Sequence, residues 1–174
     1  MKIVTKRGDE GETDLLFGRR MQKSSLRAEV LGTLDELNSA LGWARAAGLS
    51  EEVEGIVDRV QAKLVGLMGE LACLPEDVER YREKGFDRVE AGDVEWLESE
   101  AENFEDRDIR FTGWARPGAD GTLARAGLDF ARSIARRAER RTWELHESEG
   151  PISVSVRLYF NRLSDLLWLM ARAG

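Results

Sequence analysis

The sequence predicts an all-α fold, a bundle of five helices, on three observations. Apolar residues recur at alternating steps of four and three along most of the chain, the spacing that places them on one face of a helix. Prolines number only three in 174 residues, so few helical turns are interrupted. A composition of 42% hydrophobic and 34% charged residues suits a compact helical globule better than a disordered or fibrous chain.

Each element follows from its own pattern. From Leu26 to Arg45, the residues Val30, Leu34, Leu37, Leu41 and Ala44 form the first apolar stripe. A second helix is expected from Glu51 to Cys73, with Ser50 as N-cap, the acids Glu51, Glu52 and Glu54 in its first turn, and Pro75 as its stop. The stretch 76–92 is dense in charge and broken by Gly85. Asp93 is then placed to cap a shorter helix carrying Val94, Leu97, Ala101 and Phe104. Residues 111–121 read as a loop from their glycines and Pro117, and a long helix runs from about Thr122 to Glu149. Gly150-Pro151 separates it from a last helix, Ile152 to Ala173. The opening of that helix, Ile152 to Val156, alternates with period two, but no partner strand is evident. Short connections make these elements a bundle.

The totals exclude some functions. A length of 174 residues fits one domain with its own core, without disulfides. A net charge of −7 argues against nucleic acid as the main partner, unless basic groups cluster locally. One cysteine, Cys73, and a start, MKIVTKRGDE, without the apolar core of a secretory signal lead us to expect a cytoplasmic protein. No apolar run approaches the roughly 18 residues that would read as a bilayer span. With His146 the only histidine, neither a histidine metal cluster nor a Cys-His nucleophilic pair is easily built. An enzyme with this inventory would work by binding and orienting its reactants, with cations acting on phosphates.

Three groups of residues could carry such chemistry. On the longest helix, Arg132, Arg136, Glu139 and Arg140 share a face at steps of four and three. The plain alternative is a solvated charged face with Glu139 relieving the repulsion. Asp35 and Asn38, and Asn161, Arg162 and Asp165, stand inside apolar runs, where polar groups need partners; pairing of Asp35 and Asp165 with the arginines is the structural alternative. The N-terminal stretch TKRGDEGET, residues 5–13, has glycines that let backbone N–H groups point at a phosphate, and hydroxyls that could meet phosphate or a magnesium shell. It lacks the spacing of a Walker A loop, and an ordinary flexible terminus is the competing reading. Phe111 and Trp114, in the Gly/Pro loop, are either hydrophobic plugs or contacts for a flat apolar ligand, and composition favours plugs.

Taken together, TKRGDEGET at 5–13, LGTLDELNSALGWAR at 31–45, ARSIARRAERR at 131–141 and NRLSD at 161–165 resemble the PduO-type ATP:cob(I)alamin adenosyltransferases, in that family's order and over almost the whole chain. The resemblance implies a ferritin-like five-helix bundle, one domain over 1–174, with 1–25 as an ATP-binding segment and 26–174 as the bundle. It implies a homotrimer with active sites between subunits, ATP as co-substrate, magnesium as helper, cobalamin as substrate, and a possible hand-over of product to an adenosylcobalamin-dependent enzyme. By position, Thr5, Lys6, Arg7, Gly8, Thr13 and Lys23 match the family's N-terminal ATP contacts. Arg136, Arg137, Glu139, Arg140 and Asn161 match its nucleotide strip. Asp35 and Arg132 match an intersubunit salt bridge important for activity, and with Arg136 they make up the expected catalytic set. Magnesium ligands stay unassigned. Trp114, aligned on Pro117-Gly118, takes the place of the aromatic residue that fills the lower face of cobalt, with Phe111 as its rival. The family's usual Phe-x-Leu-Pro-Gly reads Trp-Ala-Arg-Pro-Gly here, so a non-catalytic corrinoid chaperone or nucleotide sensor is the alternative function.

Overall fold

The structure is a computed structural model that describes residues 4, 6–107, 109, 113–119 and 121–173. Thr5 and Phe111, both among the expected site residues, lie outside the described residues. The chain begins with a small antiparallel hairpin, β1 (Glu12–Asp14) and β2 (Arg20–Gln22), in which Thr13 faces Met21. Six helices follow: α1 (Leu26–Ala46), α2 (Glu51–Ala72), α3 (Val78–Glu83), α4 (Ala91–Glu105), α5 (Leu123–Glu149) and α6 (Val154–Met170).

The cap expected at Ser50 forms, and two others accompany it. Ser25 accepts the Ala28 N–H at 3.3 Å, Ser50 that of Val53 at 3.4 Å, and Thr122 that of Arg125 at 3.3 Å. At α4 the sequence reading is corrected. The helix starts two residues before Asp93, which instead occupies the third helical position and accepts the Glu90 N–H at 2.9 Å, as the acid of a capping box does. At α6 the period-two opening resolves into a helix whose N-cap is Ser153, accepting from Val156 N at 3.2 Å.

Two elements were not anticipated. The hairpin strands span three residues each, too few to display an alternation. The short α3 lies in the charge-dense stretch and is held by Tyr81, which is buried and donates its hydroxyl to the Asp87 carbonyl at 2.7 Å. Burial pushes the Tyr81 pKa up to about 12.

Helix α5 is the central member, packed on α1 along one side and on α6 along the other; α2 packs on α1 and α4 on α6. Leu34, Leu37, Leu41, Leu64, Phe104, Tyr159 and Phe160 are fully enclosed in the shared core. Gly127 shows how closely α1 and α5 approach, since a Cβ there would stand 2.9 Å from Ala44 Cβ. No helix among the described residues is long and apolar enough to cross a membrane.

Candidate functional site

The arginines of α5 divide into paired and unpaired groups. Arg132 Nε donates to Asp129, a buried carboxylate that also receives Arg172 Nη2 at 3.2 Å. Arg137 pairs with Glu36 of α1, and Arg141 with Glu144 at 2.8 Å. Arg136 and Arg140 differ, because each is exposed and neither has a carboxylate partner among the described residues. Arg140 Nη1 donates only to the Arg136 carbonyl, at 3.0 Å. Two neighbouring guanidiniums are thereby left with donors for an external anion.

Beside them, Glu139 accepts Asn161 Nδ2 from α6 at 3.3 Å, while Arg162 bridges Asn161 Oδ1 and Glu98 of α4. This chain holds Asn161 next to the arginine pair through a relay that spans three helices. Asp35 and Asp165 are exposed and form no ion pair or side-chain hydrogen bond among the described residues. The reading in which they pair with the arginines inside one chain is therefore not met. Arg132 is engaged by Asp129 and not by Asp35, which leaves Asp35 open to a partner outside the chain.

The N-terminal segment folds into a tight cradle. Lys23 anchors it, its Nζ donating to the Gly8 carbonyl at 2.7 Å and its backbone N–H to the Gly11 carbonyl at 2.8 Å. A Cβ on Gly8 would fall 2.8 Å from that ammonium and displace it, and Gly11 turns with φ of 84°, a conformation that favours glycine. Arg7 pairs with Asp14 at 3.1 Å, and Arg20 donates to the Arg7 carbonyl at 3.1 Å and to Glu12 at 3.0 Å. Lys6 is exposed, and Thr13 lies in β1.

The cradle is docked on the segment around α3. Arg19 Nε donates to Asp77 at 2.7 Å, Phe17 stacks on Phe86 at 6.2 Å, and Arg80 lies 4.3 Å over the Phe17 ring. The Arg19 guanidinium holds the Asp77 carboxyl below the usual aspartate range. Among the described residues no hydrogen bond or ion pair joins residues 6–23 to the strip 132–140. Within one chain the two groups of expected nucleotide contacts are thus not joined to each other by any such bond among the described residues.

Trp114 is 85% exposed, in a loop whose Gly113 and Gly118 both take positive φ. It does not plug this chain's core, which corrects the reading from composition; Phe111 cannot be placed. Arg172 Nη2 donates to the Ala115 carbonyl at 3.4 Å and ties the loop to the end of α6. Sequence reasoning also missed an exposed aromatic pair, Trp43 of α1 and Phe130 of α5, edge to face at 6.2 Å. The signal was present in the position of Phe130 off the apolar stripe, but Trp43 follows Leu41-Gly42 and reads as core. No cluster of three acidic, histidine or cysteine side chains that could hold a metal ion is found among the described residues.

Residues 3–174 match the family model described as cobalamin adenosyltransferase. The corrinoid adenosyltransferase PduO of Salmonella typhimurium is 36% identical over 176 residues, which cover 99% of this chain and 49% of that protein. The chain thus spans about half the length of the first curated relatives it matches. The corrinoid adenosyltransferase of Bacillus subtilis is 38% identical over 99% of this chain and 86% of its own. Among solved structures, a variant of the PduO-type ATP:corrinoid adenosyltransferase from Lactobacillus reuteri complexed with cobalamin and ATP superposes with a TM-score of 0.85 at 32% identity, covering 99% of this chain and 92% of that one. On these matches over the whole chain, it belongs to the cobalamin adenosyltransferase family.

Proposed function

We propose that this protein transfers the 5′-deoxyadenosyl group of ATP to the cobalt of a reduced corrinoid, giving adenosylcobalamin and triphosphate. The observation that carries the reading is the pair Arg136 and Arg140, left without carboxylates on a helix where Arg132, Arg137 and Arg141 are each neutralised. In the proposed reaction the Co(I) centre supplies the electron pair that forms the Co–C5′ bond. The C5′–O bond breaks, cobalt rises formally to Co(III), and triphosphate departs with the bonding electrons.

The protein supplies placement and charge. Arg136 and Arg140 receive the negative charge that grows on the leaving phosphates, where a preset donor is worth most. Glu139 and Asn161 orient the nucleotide beside them, and Arg137, held by Glu36, keeps the strip in place. From a neighbouring subunit, Lys6, Arg7, Gly8 and Lys23, with Thr5 and Thr13, close over the triphosphate. Asp35 of one subunit approaches Arg132 of the next and fixes the junction, which makes the active unit a homotrimer working in the cytoplasm. Trp114, standing free of its own core, covers the lower face of cobalt, with Phe111 as the alternative. Its exposure fits a residue that awaits a flat partner.

The test is anaerobic: protein, MgATP and chemically reduced cobalamin are mixed, and the conversion of Co(I) to the light-sensitive alkyl-cobalt product is followed by absorbance. The expected result is product with one triphosphate per cobalt. ATP binding without any Co–C bond would replace this reading with that of a corrinoid chaperone or nucleotide sensor.

A further inference from the structure

A cavity of about 690 Å³ opens at the end of the bundle, between the C-terminal end of α2, the short α3 and the turn joining α5 to α6. Its volume lies within the range of small-molecule sites, roughly 300–1,000 Å³. Neither Arg136 nor Arg140 lines it, so it is separate from the nucleotide strip. One wall is apolar, built from Leu71, Val78, Tyr81, Pro151 and Ile152.

The polar wall carries four arginines and four glutamates, but they are unequally paired. Its carboxylates are already engaged: Glu149 by Arg27 at 3.0 Å, Glu79 by Arg82 at 2.6 Å, Glu70 by the Val89 N–H at 3.0 Å, and Glu76 at longer range by Arg19. Two arginines of the lining are not fully satisfied. Arg157, four residues into α6, has no acidic partner among the described residues, and its Nε is buried without a hydrogen bond. The Arg88 Nε is buried and unpaired in the same way, its only ion pair being an Nη2 contact to the exposed Glu90 at 3.3 Å.

Desolvated donors without acceptors are costly, and native proteins rarely leave them so unless something else occupies the site. Three further features point the same way. Arg157 lies with its guanidinium 4.4 Å from the Trp143 ring, an arrangement that holds the plane and leaves its edge free to bond. His146 Nδ1 accepts the Ile152 N–H at 2.9 Å, which places the ring proton on Nε2 as a donor. The positive end of the α6 dipole, with the Val154 and Ser155 N–H groups, meets the cavity at Ser153 and Val154.

We infer that this cavity binds an organic anion with an apolar body, its carboxylate, sulfonate or phosphate head held by Arg157, Arg88 and the start of α6, and its body against Leu71, Val78 and Ile152. The site is distinct from that of ATP. The inference does not rest on the transferase reading.

The probe is 8-anilinonaphthalene-1-sulfonate, an aryl sulfonate, titrated into the intact protein and followed by fluorescence and equilibrium dialysis. One saturable site per chain is expected. Arg157→Gln should weaken binding by about tenfold or more, the usual loss for one charge-assisted contact. Val78→Trp, which fills the apolar wall, should abolish it. Saturating MgATP should not displace the probe, and Arg136→Ala should bind it as the unmodified protein does. Melting temperature and far-ultraviolet circular dichroism check each variant, and Arg88→Gln replaces Arg157→Gln if the latter does not fold. Absence of saturable binding would overturn the inference, as would affinity unchanged in both cavity variants. Displacement by ATP together with loss in Arg136→Ala would assign the probe to the nucleotide site and equally overturn it.

Discussion

Arg136 is defined by what it lacks. Like-charged neighbours at helical spacing repel by only a few tenths of a kcal/mol, so leaving Arg136 and Arg140 without acids costs the fold little. Arg136→Ala should therefore leave folding and assembly unchanged while lowering kcat/KM for ATP by about ten- to a hundredfold, as expected for one charge-assisted hydrogen bond of about 1.5–3 kcal/mol. Steady-state kinetics beside a melting curve decides it, and unchanged turnover would remove Arg136 from the site. Tyr159 poses the opposite case. Its ring is fully buried, its hydroxyl has no hydrogen-bond partner among the described residues, and burial drives its pKa upward. Tyr159→Phe removes that unsatisfied hydroxyl and should raise stability by about 1 kcal/mol in chemical denaturation; a clear loss would reveal a partner for the hydroxyl.

At the scale of elements, the hairpin that carries half of the proposed site is fastened to α3 by Arg19 and Asp77, supported by the Phe17–Phe86 stack. Because Arg19 depresses the Asp77 pKa in the folded chain, the sign is fixed. The contribution is fully present above the unfolded aspartate value, near 4, and is lost as the pH falls through the lower folded value. Acidification from pH 5 downward should therefore loosen the hairpin before the bundle. Protection factors for amide exchange at Lys23 and Leu15, whose N–H groups bond within it, should fall, and Asp77→Asn should show the lower protection already at pH 5. The long helices were legible because each buries one continuous stripe, such as Val30, Leu34, Leu37 and Leu41, and starts at a serine or threonine cap. Hairpin and α3 were not, since elements of three to six residues are set by tertiary contacts such as Arg19–Asp77 and Tyr81–Asp87 that no local periodicity encodes. The site divides similarly. The arginine strip could be read from spacing alone, but which arginines are free depends on Glu36, Asp129 and Glu144, and two of these sit on α5 at positions the spacing argument passed over.

At the scale of the whole molecule, the net charge of −7 is no obstacle to a polyanionic substrate, because the field that matters is set locally by unpaired cations. Among the described residues no hydrogen bond or ion pair joins the cradle to the strip in one chain, and in the proposed mechanism assembly brings them together. In light scattering the native protein should have three times the 19.6 kDa mass of the chain. A stronger test uses two variants that are each strongly impaired, Lys23→Ala in the cradle and Arg136→Ala in the strip, co-expressed with different tags and purified as mixed trimers. If each site joins the cradle of one subunit to the strip of the next, every mixed trimer, whichever variant contributes two chains, has an intact pair at one of its three junctions, and activity returns to about a third. If each site lay within one chain, every site would carry one lesion and the mixture would stay as inactive as its components. Recovery near a third would thus establish a shared site without a ligand-bound structure, and its absence, with trimers confirmed, would require both halves to meet inside a single subunit.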